Sequence, residues 1–253
     1  MFPYDADYKK ISTWQRGSLK SIELYAEPFL RFNPRAIRNF PSHGVDHTVG
    51  IISNINSFIE SWNISLSKNE RYLLYLSAWL HDIGCLKGRK DHNIKSFNIL
   101  LENGEICGII RSESQYNLTN LAYLINSHSS NYRNINAIPI KSGNARIRLL
   151  CGIFRLMDAC EICNTKCPKQ VYDCIHASLQ RNIISHSFWL GHMNIKDLSF
   201  SKPKIFITVT QRRNIHSTQI IKKLRSEISS IKKIFLENGL DVPLLEIRSC
   251  KSH

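Results

Sequence analysis

Tyr72-Leu73-Leu74-Tyr75-Leu76-Ser77-Ala78-Trp79-Leu80, followed at once by His81-Asp82 and then Ile83-Gly84, is the stretch that decides the fold. Nearly every residue in it is apolar, which is the pattern of a core helix, and Gly84 is a residue that stops helices. Upstream, Ser67 with Glu70 three residues on spells a capping box, in which two side chains satisfy orphan backbone donors at a helix start. The helix therefore delivers a histidine and a carboxylate to its own C-terminal end. A carboxylate there is a costly buried charge unless it is paired or coordinated, so His81 and Asp82 read as candidate metal ligands.

Working outward, other segments with helical spacing bring further ligand types. From Asp46 to Trp62 the residues Ile51, Ile52, Ile55, Phe58, Ile59 and Trp62 follow a helical period, with His47 on the first turn and His43 four residues before it. His92 opens a segment running from Asp91 to about Leu101, and His128 lies just beyond one from Leu118 to Asn126. The most periodic stretch, Ala145 to about Ile162, has a core stripe of Ile147, Leu150, Cys151, Phe154 and Met157; Asp158 lies beside it, one turn after Arg155. A single histidine is commonly a satisfied surface or half-buried side chain, so the combination carries the reading. Two imidazoles and two carboxylates from separate helices, His47, His81, Asp82 and Asp158, suit Mn, Fe, Co, Ni or Zn, with Mg less favoured by imidazole.

After about Asn182 the texture changes. Ser187-Phe188-Trp189-Leu190 and Lys204 to Thr210 read as strands, Ser217 to Asn238 as a long helix, and Val242 to Arg248 as a last strand. The expected fold is mainly α: an all-α helical domain over residues 1–182, with an N-terminal helical extension over 1–40, followed by a small C-terminal α+β module over 183–253. A chain of 253 residues with 43% hydrophobic content can bury one sizeable core, or one core plus such a module.

Composition narrows the function classes. The chain has no run of 18 apolar residues, and its start, Met1-Phe2-Pro3-Tyr4-Asp5, lacks the basic-then-apolar order of a signal peptide, so a soluble cytoplasmic protein with no membrane partner is expected. Of eight cysteines, Cys85, Cys107, Cys151 and Cys250 are scattered singly and read as small hydrophobes. Cys160 and Cys163 have C-x2-C spacing, but Cys167 and Cys174 do not complete a zinc pattern, and packing is the expected role. The net charge of +14 attracts phosphate-bearing partners, nucleotides or nucleic acid. Its basic residues, among them Arg31, Arg35, Arg38, Lys222, Lys223 and Arg225, are spread along the chain, as solvated helix faces also are. Nothing in the sequence signals an oligomeric state.

Three motifs, His-Gly-Val-Asp-His-Thr-Val at 43–49, Ala-Trp-Leu-His-Asp-Ile-Gly at 78–84 and Phe-Arg-Leu-Met-Asp-Ala at 154–159, make residues 40–180 resemble the HD-domain metal-dependent phosphohydrolase superfamily. The resemblance implies an HD-domain helical bundle with one metal on His47, His81, Asp82 and Asp158. Members with two metals add two histidines, which His92 and His128 match, and imply a dinuclear site bridged by Asp82. Cys85 is a departure, because many members that cleave cyclic dinucleotides have lysine there; their substrate does not carry over.

The activity implied is hydrolysis of a phosphoester by metal-activated water. Asp82 and Asp158 would hold the metals, while Arg155, Lys87, Arg89 or Lys90 neutralise the phosphate. Arg155 is also placed to pair with Asp158 at i, i+3. His43 is a candidate proton donor to the leaving oxygen, or a group behind the ligands, or a structural residue. Three functions follow: a phosphohydrolase of nucleotides or related small molecules, a metal-dependent nuclease on DNA or RNA, and a non-catalytic nucleotide-binding or regulatory module.

Overall fold

The computed structural model describes residues 6–36, 39–129, 132 and 134–250, with Arg35 by its backbone alone. The opening Met1–Asp5 and Arg38, named above, lie outside the described residues. Ten α-helices and three strands are found among the described residues: α1 (Thr13–Ala36), α2 (Val45–Ser61), α3 (Lys68–Leu80), α4 (His92–Leu101), α5 (Gly104–Glu113), α6 (Asn117–Ser127), α7 (Ile147–Cys160), α8 (Lys169–Leu179), α9 (Ile183–Asn194), β1 (Ile195–Ser201), β2 (Lys204–Val209), α10 (Ile215–Glu237) and β3 (Leu244–Ser249). The chain is mainly α, with a small α+β module at its C-terminal end.

Helix α3 is the axis of the bundle. Every residue from Glu70 to Leu80 is buried, as an apolar sequence with no polar face requires, and α1, α2, α6 and α7 all pack on it. Its capping box forms: Ser67 Oγ accepts from Glu70 N at 3.1 Å and Glu70 Oε2 accepts from Ser67 N at 2.9 Å. The Glu70 carboxylate also accepts from Arg146 N, Nε and Nη2 at 2.8–3.0 Å, tying the start of α3 to the start of α7. Burial raises the Glu70 carboxyl, and the Arg146 guanidinium with the backbone donors outweighs burial and holds it below its usual range.

The turn after α3 is locked onto α4 by close approach. A Cβ at Gly84 would stand 2.3 Å from His92 O and 2.3 Å from Ser96 N, so this position admits only glycine without a backbone shift. Gly84 N donates to Ser96 Oγ at 2.8 Å, and that hydroxyl donates to His81 O at 2.5 Å. From the other side, Asn33 of α1 donates to the carbonyls of His43 and Asp82, at 3.0 and 2.9 Å.

The C-terminal module is a three-stranded sheet of order β1-β2-β3, with β1 antiparallel and β3 parallel to β2, α10 forming the crossover. Its apolar face is continuous with the helical core: Phe58 of α2 meets Phe200 and Phe235 with ring centroids 5.6 and 6.1 Å apart. One expected strand is corrected, and β1 stands where none was expected. Ser187–Leu190 belongs to α9, which opens with Asn182 accepting from Ser185 N. Gly191 brings α9 so near α10 that an added Cβ would lie 2.8 Å from His216 O, and burial of Trp189 and His192 then favours a helix over local strand propensity. All eight cysteines are free thiols.

Two outcomes follow. Glu70→Ala is expected to cost about 2–3 kcal/mol, since it removes the cap and strands Arg146. Because the folded carboxyl titrates lower than the unfolded one, the stability gap to Glu70→Gln is complete above about pH 5 and closes as pH falls through the folded value, checked by urea melts across pH. Gly84→Ala is expected to lower the melting midpoint and loosen α4, read as faster hydrogen exchange of its amides.

Candidate metal centre

Each helix contributes its ligand type at an end. His47 stands on the first turn of α2, His81 caps the C-terminus of α3, Asp82 follows it, His92 is the first residue of α4, His128 caps α6, and Asp158 lies in the last turn of α7. The helices end around one point, where the side chains of His47, His81 and Asp82 are at most 2% exposed.

The imidazole tautomers are fixed by what lies behind them. His81 Nδ1 is 3.0 Å from Ala78 O, His92 Nδ1 2.8 Å from Arg89 O, and His128 Nδ1 2.5 Å from Ile125 O. A carbonyl only accepts, so these Nδ1 atoms carry the protons and the Nε2 atoms turn lone pairs inward. His47 differs: its Nδ1 donates to a carboxylate, Glu161 Oε2, at 2.9 Å. Glu161 is paired with the buried Lys166, whose Nζ lies 3.0 Å from the same oxygen.

The inward atoms form two adjoining groups that share Asp82. His47 Nε2 is 3.7 Å and His81 Nε2 3.4 Å from Asp82 Oδ2, and they are 3.2 and 3.9 Å from Asp158 Oδ1. On the other oxygen, His92 Nε2 is 3.3 Å from Asp82 Oδ1 and 2.9 Å from His128 Nε2. Buried His81 Nε2 and Asp82 Oδ2 have no hydrogen-bond partner, and the His92 and His128 lone pairs face each other at contact distance. Unsatisfied buried acceptors in this arrangement call for a cation, and nitrogen and carboxylate donors at these separations fit a divalent metal.

The electrostatics agree. Burial raises Asp82 and Asp158, yet the surrounding imidazoles hold both carboxyls well below the usual range. Glu161 is lowered to about 2, since Lys166 and His47 overcome its burial. Burial and Lys166 push His47 down, but Asp158 and Glu161 outweigh them and lift it to about 9. His128, desolvated and beside His81, falls to about 3. Three carboxylates against one ammonium leave negative charge that a proton on His47 meets in part, and a metal would displace that proton.

A cavity of about 360 Å³ opens onto this cluster, and its far wall comes from the C-terminal part of the chain: Phe188 and His192 of α9, and Ile220, Lys223, Leu224 and Glu227 of α10. Of the residues expected to meet phosphate, Arg89 lines the cavity, with its guanidinium 4.0 Å from the centre of the Phe40 ring. Exposed Lys87 lies 4.0 Å from Glu102, and neither it nor exposed Lys90 lines the cavity.

Arg155 does not pair with Asp158. Its Nε donates to Glu227 Oε2 at 2.5 Å and its Nη1 to Tyr132 O at 3.1 Å, because the Asp158 carboxylate is turned to His47 and His81. His43 donates through Nδ1 to Pro41 O at 2.8 Å and accepts from Arg89 Nη1 at 3.2 Å. Burial and Lys166 hold its pKa well below the ordinary value, and in this arrangement it is a neutral acceptor that orients Arg89.

Glu161, Lys166 and His192 were missed from sequence. Glu161 lies three residues after Asp158, a spacing that puts both on one helix face, and that signal was readable. Lys166 and His192 reach the cavity through a turn and a helix from which the sequence gives no direction. Among the described residues, no group of potential metal ligands includes Cys160, Cys163, Cys167 or Cys174.

Glu161→Gln removes the anion behind His47 and leaves Lys166 unpaired. It is expected to weaken metal binding about 10- to 100-fold with the fold retained, measured by competition against a chromophoric chelator.

No curated protein shows significant similarity to the chain. The family model HD-CE matches residues 23–233, which takes in every element from α1 to α10 that borders the cluster. The histidine–aspartate centre thus sits in an HD-type domain, and the chain belongs to the HD-CE family.

Proposed function

We infer that the protein is a metal-dependent phosphohydrolase that cleaves a phosphoester of a nucleotide or related small molecule. The observation that carries this reading is the cluster of inward lone pairs and split carboxylate at the floor of a cavity with cationic side chains at its margin. His47, His81, Asp82 and Asp158 would hold one divalent ion, and Asp82, His92 and His128 a second. When bound, such ions polarise a phosphoryl oxygen and lower the pKa of water toward neutrality.

The chain's own groups supply the rest. Arg89, held by the neutral His43 and stacked on Phe40, presents a fixed guanidinium to a phosphate. Lys223, across the cavity on α10, adds a second positive charge. Phe40 and Phe188, with ring centroids 6.0 Å apart, give part of the wall an apolar face. A volume of about 360 Å³ is at the small end of ligand pockets, which favours a small phosphoester over a bulky polymer.

A nuclease is the second reading. It draws on the net charge of +14 and on Arg212, Arg213 and Arg225 around a separate surface depression, and a steep loss of substrate affinity with salt would favour it.

Metal analysis with hydrolysis assays on generic phosphoesters, a nucleotide panel and single-stranded nucleic acid tests the reading. Asp82→Ala is expected to lose metal and to lose activity by about a thousandfold or more, the scale of several kcal/mol of Lewis-acid stabilisation. Undiminished hydrolysis by that variant would overturn it. Metal without turnover of any phosphoester would instead mark a binding module.

A further inference from the structure

Cys85 sits one turn beyond Asp82 on the 3-10 helix Ile83–Lys87, 1% exposed. Its Sγ is 3.4 Å from Asp82 Oδ1, the oxygen that His92 Nε2 approaches at 3.3 Å. The donor atoms of Asp82, Cys85 and His92 all lie within 4.8 Å of one another. For bond lengths of about 2.0–2.3 Å at tetrahedral angles, neighbouring N, O and S ligands are about 3.3–3.6 Å apart. The two separations at Asp82 Oδ1 are edges of that size. Independent of the cysteine, the facing lone pairs of His92 and His128, 2.9 Å apart, mark the same spot as one that needs a cation.

We propose that Cys85 is a metal ligand, completing with Asp82 Oδ1, His92 Nε2 and His128 Nε2 a second position of N2OS type. The inference rests on the metal centre proposed above and adds what distinguishes its two halves. The position on Asp82 Oδ2 has only nitrogen and oxygen donors, whereas the position on Oδ1 gains a soft sulfur. Thiolate selects Zn(II), Co(II) or Fe(II) over Mg(II) and Mn(II), so the two positions differ in the ion they prefer.

In this structure the Cys85 thiol lies as a donor toward Asp82 Oδ1, 3.4 Å away. A divalent ion reverses the local field and deprotonates a coordinating thiol. On binding, the S–H bond breaks, the proton leaves to solvent, and the sulfur lone pair forms the bond to the metal with no change of oxidation state. Asp82 Oδ1 exchanges its S–H donor for the cation.

Co(II) titration of the full chain, followed by absorption, tests this without any substrate. Wild type is expected to show the visible bands of bound Co(II) together with a near-ultraviolet thiolate-to-Co(II) charge-transfer band. Cys85→Ser and Cys85→Ala should keep the visible bands and lose the charge-transfer band, and their preference for Zn(II) over Mn(II) should fall about tenfold or more. Visible bands without charge transfer in wild type would overturn the role of Cys85 and leave the metal centre standing. Charge transfer that persists in both variants would assign the sulfur to another cysteine and overturn the proposal equally. Absence of any Co(II) spectrum from wild type would overturn the metal centre itself.

Discussion

Buried lone pairs that point at one another govern this structure. Three backbone carbonyls and one carboxylate fix the protons of four imidazoles on their outer nitrogens, so His47, His81, His92 and His128 all present Nε2 to the same small volume. Two aspartates enter there as well. No side-chain packing can satisfy such a group internally, since it contains acceptors without enough donors. The remaining architecture holds those acceptors in place against their own repulsion.

The restraints come from several directions. Glycine at 84 permits α4 to touch the turn that carries Asp82, Ser96 bridges that turn to His81, and Asn33 clasps it from α1. Behind His47 stands an ion pair, Glu161 with Lys166, buried on both sides. A charge pair in the interior adds little stability by itself. Here it anchors the one imidazole whose Nδ1 faces a carboxylate rather than a backbone carbonyl.

The C-terminal part takes its place through the same cavity. Helices α9 and α10 supply its outer wall, and the buried pair Arg155–Glu227 joins α7 to α10 beside the backbone that leads away from His128. A segment that reads in sequence as an appended module thus borders the site, and the cavity would be open on that side without it.

The sequence by itself determined α3, its capping box, the helices around it and the helix ends at which the six candidate ligands stand, because helical periodicity and a buried His-Asp pair are local signals carried by neighbouring residues. It also located β2, β3 and α10, though not β1, and not α9, whose Ser187–Leu190 looks like a strand until the close contact at Gly191 is known. Only the tertiary structure decided partners. Arg155 turned from Asp158 to Glu227, His43 became the acceptor behind Arg89, and Lys166 arrived under His47 from 119 residues away. Spacing along the chain limits which residues can share a helix face. Which carboxylate meets which cation depends on how separate helices pack, and that is set by the whole core at once.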